Sequence, residues 1–216
     1  MRLVLLGAPG SGKGTQADLF RTRCGYVHIA TGDILRQNLK DRTGLGLQAD
    51  AFMSKGELVP DNLVVEMIAE RLRENDVSRG FLLDGFPRTI PQAESLDAIL
   101  NDLGWNLDAA LFFVIDEEAL VRRLMHRRTC RSCGKIWNLL SAEDENFDIC
   151  PSCGGELYQR DDDKESVIRN RLDVYRNQTE PVVSWYRKKG LLYDIDASKS
   201  REETFEEIKS VLGGEI

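Results

Sequence analysis

The stretch RLVLLGAPGSGKGT, residues 2–15, decides the fold. Arg2 to Leu6 is a short apolar run ended by glycine, the pattern of a buried strand. Gly7 and Gly12-Lys13 then fit G-x-x-x-x-G-K, and a helix is expected from Lys13 to about Cys24. Glycines let successive backbone N–H groups turn towards one anion, and the helix amino terminus adds its positive end. Lys13 adds a mobile positive charge suited to the β and γ phosphates of a nucleotide. A plain glycine turn is the alternative, and the strand–loop–helix context weighs against it. One departure matters. Gly14 replaces the usual hydroxyl residue, and Thr15 comes one position later. Mg²⁺ ligation by that hydroxyl is therefore less expected than ligation by Asp84, which ends the apolar run Phe81–Asp84. Asp84 could also be a simple turn or helix cap.

Outward from the loop, strands and helices alternate. Strands are expected at Val27–Ile29, Phe81–Asp84, Leu111–Ile115 and Leu191–Ile195. Helical spacing covers Asp33–Leu39, Leu45–Ser54, Asp61–Glu74, Pro91–Leu103 and Arg201–Leu212. Asp116 caps a further helix from Glu117 to about Arg127. The alternation implies an α/β fold, a parallel five-stranded sheet with helices on both faces.

The 216 residues suit one such domain with insertions, and 30% charged against 42% hydrophobic residues predicts a packed globule. The net charge of −7 does not invite nucleic acid or an anionic membrane. The longest apolar run, Ala109 to Ile115, is too short to span a bilayer. A cytoplasmic protein is expected, in which five cysteines are thiols or metal ligands and not disulfides. Cys130-x-x-Cys133 and Cys150-Pro-Ser-Cys153 form two knuckles separated by 16 residues. Each points two thiolates at one ion, and together they complete a four-sulfur shell with no open position. The metal is therefore structural, with zinc the first choice and iron the alternative. Cys24 lies outside the cluster and is expected to pack in the core.

Three motifs together resemble the adenylate kinases, a nucleoside monophosphate kinase family. They are the loop Gly7–Thr15, Thr31-Gly-Asp-Ile-Leu-Arg36 and Leu83-Asp-Gly-Phe-Pro-Arg88. The match continues through Arg127-Arg128, Arg160, Arg169-Asn-Arg171 and Lys199, nearly the whole chain. The resemblance implies the reaction ATP + AMP ⇌ 2 ADP, with Mg²⁺ accompanying ATP. It implies a core of residues 1–29, 60–125 and 164–216, a helical AMP-binding insertion at 30–59 and a metal-bearing lid at 126–163. Gly10, Ser11, Gly12, Lys13, Gly14, Thr15, Arg127, Ile136, Trp137 and Lys199 would surround ATP. Thr31, Arg36, Glu57, Leu58, Val59, Gly85, Phe86, Pro87, Arg88, Gln92, Arg160 and Arg171 would surround AMP. Catalysis would fall to Lys13, Asp84, Arg88, Arg123, Arg160 and Arg171. Uridylate–cytidylate kinases are similar, but usually read differently at the Thr31 segment and have a short lid.

The chemistry fits this residue set. A phosphate acceptor is already anionic and needs no general base, which agrees with a chain holding only His28 and His126. Neither histidine sits in a nucleophile–base pattern, so both read as structural or solvated. Two polyanions must instead be neutralised, which forked arginines do. Asp161, Asp162 and Asp163 mark the point where the insertion rejoins the core, and in the family acids there hold the closed hinge. Nucleotides are the expected partners, bound by a monomer, with no nucleic acid and no membrane. A zinc-ribbon nucleic-acid-binding ATPase and a non-catalytic binding module are the competing classes. The missing aromatic–basic strip disfavours the first, and the presence of Lys13, Asp84 and Arg88 disfavours the second. Sequence does not choose between ATP and GTP as donor.

Overall fold

The computed structural model describes residues 1–141 and 148–214. Its centre is a five-stranded, wholly parallel sheet in the order β2-β3-β1-β4-β8. The strands are β1 (Arg2–Leu6), β2 (Val27–Ala30), β3 (Phe81–Asp84), β4 (Ala109–Val114) and β8 (Leu192–Asp196). Alternate side chains enter opposite layers, as the strand period of two requires. Val4, Leu6, Ile29, Phe81, Leu83 and Ala110 face one core, closed by α4 (Asp61–Arg71), α5 (Ile90–Asp102) and α8 (Glu180–Lys188). Leu3, Leu5, Leu82, Leu111 and Phe113 face the other, closed by α1 (Lys13–Leu19) and α9 (Arg201–Val211). A parallel sheet covered on both faces needs strands apolar on both sides, which is why β1 reads as a continuous apolar run.

Two insertions leave this frame. α2 (Thr31–Lys40) and α3 (Gly44–Met53) pack on each other, with the Thr43 hydroxyl accepting from the Gly46 amide at 3.1 Å to cap α3. A separate antiparallel sheet joins β5 (Arg127–Cys130), β6 (Ile136–Asn138) and β7 (Leu157–Tyr158) in the order β6-β5-β7. α6 (Glu117–Met125) leads into that sheet, and α7 (Glu165–Val174) leads out of it. The two helices pack together through Leu120, Leu124, Ile168 and Leu172.

Two expectations change. The helix after Asp116 ends at Met125, so Arg127 lies on a strand, where Arg127–Thr129 pair with Ile136–Asn138. The structure also contains two helices that the sequence pattern does not announce, α7 and α8. Their apolar positions, Ile168 and Leu172, then Val182, Val183 and Tyr186, are separated by a wide turn at Tyr175–Thr179 that interrupts the helical period.

Candidate active site

The carboxyl ends of β1, β2 and β3 open onto one cavity of about 1050 Å³. Crevices at strand carboxyl ends are where open α/β sheets bind ligands. After β1 the chain enters the glycine loop. Gly12 begins α1 at φ 97°, a left-handed conformation that an ordinary residue resists. Lys13 folds back inside this loop, its ammonium donating to Gly7 O at 2.7 Å, Ala8 O at 3.0 Å and Ser11 Oγ at 3.3 Å. Burial pushes Lys13 down to about 8; Asp84 opposes the shift, and Arg88, Arg171 and Arg127 add to it. A cation held that way is prepared for an anion.

β3 ends at Asp84, whose Oδ2 stands 3.5 Å from His28 Nε2 on β2. Burial works against the carboxylate, but the His28 ring and the Lys13 and Arg88 charges hold its pKa below the usual range. A Cβ added at Gly14 would lie 3.6 Å from Asp84 Oδ2, so the carboxylate faces the phosphate loop. An ionised oxygen donor beside the loop fits Mg²⁺. His28, read from sequence as structural or solvated, lines the cavity. Its signal was its place on the strand beside the one carrying Asp84, which only strand order reveals.

The turn after β3 builds the opposite wall. Gly85 has φ 79°, and a Cβ there would meet Thr31 Oγ1 at 2.7 Å and Arg88 Nη2 at 2.9 Å. Arg88 Nε donates to Gly85 O at 2.8 Å, and its backbone amide donates to Gln92 Oε1 at 2.8 Å. Gln92 Nε2 in turn donates to Asp61 at 2.6 Å. Arg88 is thus fixed without a paired carboxylate among the described residues, and burial lowers its pKa. Phe86 differs from expectation. It is fully buried in the main core and does not line the cavity.

The second insertion closes the cavity with arginines. Arg127 forks onto Asp163, Nε to Oδ2 at 2.8 Å and Nη2 to Oδ1 at 2.6 Å. Arg171 on α7 pairs with Asp162 at 2.9 Å. Arg160 donates to Thr129 Oγ1 at 2.9 Å and lies 4.0 Å from Asp33. Burial lowers both Arg160 and Arg171 to about 10. Arg123 on α6 is lowered by burial as well. The three hinge acids separate clearly. Asp163 is fully buried, Asp162 is half-buried against Arg171, and Asp161 is solvated beside Lys164. Arg169 pairs with Glu165 on the surface. Lys199 lines the cavity but gives its ammonium to Glu207 at 2.9 Å.

Gly10, Ser11, Thr15, Ile136 and Trp137 line the same cavity, as do Thr31, Arg36, Glu57, Leu58, Val59 and Pro87. The arrangement therefore brings together every residue expected from sequence except the Phe86 side chain. It also adds Gln16, Asn138, Tyr175 and Arg201, which no motif marked. The cavity concentrates Lys13, Arg36, Arg88, Arg123, Arg127, Arg160 and Arg171 in an otherwise acidic protein. Such a cleft suits more than one phosphate-bearing ligand.

Away from the cavity, Cys130, Cys133, Cys150 and Cys153 bring four sulfurs within 4.8 Å of one another. Sulfur–sulfur distances of 3.5 Å (Cys130 to Cys153) and 3.8 Å (Cys133 to Cys150) match the ~3.8 Å edge of a tetrahedron with metal–sulfur bonds near 2.3 Å. Backbone N–H groups of Cys133 and Ser132 lower the Cys130 thiol. Burial opposes ionisation of Cys150, yet the Ser152 and Cys153 amides and the Trp137 ring bring it to about 6. Against the Gly155 amide, Cys153, crowded by the other three sulfurs, is pushed up to about 12. Four sulfurs gathered this closely repel one another as thiolates unless a cation joins them, and the donor set fits a metal ion.

The family model for adenylate kinase matches residues 5–191. Among curated proteins, the chain is 53% identical to an adenylate kinase of Methanocella arvoryzae over 98% of both chains. It is 49% identical to one of Archaeoglobus fulgidus, again over 98% of both. An adenylate kinase of Bacillus pumilus is 47% identical over 99% of each chain.

Proposed function

This chain belongs to the adenylate kinase family and moves a phosphoryl group reversibly between ATP and AMP, and we propose that it does so by arginine-assisted in-line transfer without a general base. The observation that carries this reading is the single cavity in which a phosphate loop and the Arg36–Arg88 wall face each other. Lys13 and the loop amides hold the donor phosphates, with Thr15, Ile136, Trp137 and Lys199 on the donor side. Thr31, Glu57–Val59, Gly85 and Gln92 hold AMP, and Arg36 and Arg88 take its phosphate. Arg123, Arg127, Arg160 and Arg171 neutralise the phosphoryl group in flight. An AMP phosphate oxygen attacks without losing a proton, which is why His28 needs no role as base. Mg²⁺ arriving with ATP would be held by Asp84 and would neutralise charge on the β and γ phosphates.

The division of labour follows the chain: a core at 1–29, 60–125 and 164–216, an AMP-binding insertion at 30–59, and a lid at 126–163. Residues 142–147 and 215–216 of those ranges lie outside the described residues. Zinc is the metal we propose for the lid, since four thiolates at tetrahedral spacing suit it. A metal would replace the core that so small a sheet lacks, and the stiffened lid would keep water from the donor until AMP arrives. Action as a monomer is part of the same proposal. A reducing cytoplasm is the compartment that suits a four-thiolate metal site. No helix among the described residues is long and apolar enough to cross a membrane.

The test is a donor-by-acceptor panel. The expected result is ADP from ATP plus AMP, and formation of both ATP and AMP from ADP alone. Donor consumption independent of AMP, or preference for CMP or UMP, would overturn the assignment.

A further inference from the structure

We infer that Gln16 reads the donor base, its amide oxygen accepting a hydrogen bond from the exocyclic amino group of adenine. The inference rests on the reading of the cavity's donor side given above. Gln16 lies on α1 just beyond the phosphate loop and is 3% exposed, yet it lines the cavity. Its Nε2 donates to the backbone carbonyl of Arg201 at 2.8 Å. That carbonyl can face only the amino end of the amide, so the orientation is fixed and Oε1 points the other way. Oε1 is buried and has no partner.

A buried acceptor without a donor is costly, and native proteins rarely leave one unless a ligand or water completes it. The lining near Gln16 includes Thr15, Ala197, Lys199, Arg201 and Thr204, which follow the phosphate loop on α1 or lie at the start of α9 and the turn before it. A base following the triphosphate would come to rest there. Adenine brings an N–H donor on its amino group, which satisfies Oε1. Guanine and hypoxanthine bring a carbonyl at the same ring position, which sets acceptor against acceptor and leaves Oε1 unpaired. Sites built around one buried hydrogen bond discriminate strongly for this reason. The Gln16 amide also ties α1 to the start of α9, so its two ends do separate jobs: one anchors the wall and the other reads the ligand.

The experiment uses the full chain with its lid metal and AMP as acceptor. kcat/KM is measured for ATP, ITP and GTP. Unaltered protein is expected to prefer ATP over both by at least about tenfold. Gln16→Met keeps the volume and removes both polar ends, and is expected to reduce that preference about tenfold with KM for AMP unchanged. The preference is a ratio within one preparation, so a partly folded variant does not distort it. Gln16→Glu keeps an acceptor and loses the bond to Arg201, and should still prefer ATP while slowing every donor. Equal loss on all three donors in Gln16→Met would show an anchor only and overturn the inference. So would an unaltered protein indifferent to the base, or loss of the ATP preference in Gln16→Glu. AMP-dependent ADP formation by the unaltered protein, read in the same assay, tests the adenylate kinase reading separately.

Discussion

ATP binding should draw a proton onto Lys13. Before a nucleotide binds, burial first and then Arg88, Arg171 and Arg127 push that ammonium down to about 8. A triphosphate in the loop supplies the negative charge the site lacks, which returns the lysine towards or above its ordinary value of 10.5. Binding at pH 8 then takes up about half a proton, at pH 7 about 0.1 and at pH 9 about 0.9. Affinity should fall about tenfold for each pH unit above 8. Calorimetric titration in two buffers of different ionisation heat reads the proton number directly, and Lys13→Met should abolish the uptake. The stability sign is the reverse of a salt-bridged group. Because the folded pKa lies below the unfolded one, the unfolded chain holds more protons between pH 8 and 10.5. The empty protein therefore gains stability as pH rises through that window. Below pH 8, enclosing the charge costs at most about 3 kcal/mol, reduced by whatever water the cavity admits. Lys13→Met should accordingly melt higher while losing turnover. Uptake that stays flat from pH 7 to 9, or that persists in Lys13→Met, would refute the reasoning.

Three further outcomes are expected. Asp163→Ala removes both acceptors of the Arg127 fork from a fully buried site, and should cost about 3–5 kcal/mol in denaturant unfolding, whereas Asp161→Ala leaves the midpoint unchanged. Cys150→Ser should lower bound metal from about one per chain towards none by elemental analysis, and should make the Arg127–Arg160 region sensitive to protease before the core. Gly85→Ala forces a Cβ to within 2.7 Å of Thr31 Oγ1 at a left-handed φ, and should raise KM for AMP about tenfold or more with KM for ATP little changed in steady-state assays.

The parts legible in sequence were those whose chemistry is local. The phosphate loop declares itself because strand, glycines and lysine are contiguous. The four cysteines do so because each knuckle is a short turn. What escaped depends on neighbours far along the chain. His28 approaches Asp84 only because β2 pairs with β3, a register set by the whole sheet. Gln16 faces Arg201 across 185 positions. The three consecutive acids at 161–163 look alike in sequence, and their fates part only when Arg127 and Arg171 converge on two of them. The burial of Phe86 has the same origin: a motif names positions, while packing decides which side chains within it reach the cavity.

An acidic protein that gathers ten lysines and arginines into the lining of one cleft must hold them apart until its substrates come. The cleft does this with carboxylates of two kinds. Asp163 is fully buried and grips Arg127 through two bonds, so withdrawing it leaves an unpaired buried charge; it is a permanent part of the hinge. Asp33 is 58% exposed and faces Arg36 and, at 4.0 Å, Arg160. Water already shares its charge, so a phosphate dianion can replace it at little cost. Among the described residues Arg88 and Lys13 have no paired carboxylate to release, although Asp84 lies near both; Lys13 leans on loop carbonyls that cannot match a phosphate. The phosphates therefore meet arginines and a lysine in graded readiness: Lys13 and Arg88 at once, Arg36 and Arg160 by exchange with Asp33, and Arg127 already fixed in place. Both insertions carry a member of the exchangeable set, Arg36 on α2 and Arg160 beside β7. Asp33 thus joins the two insertions in the empty cleft, and a phosphate taking its place would join them again around the substrate.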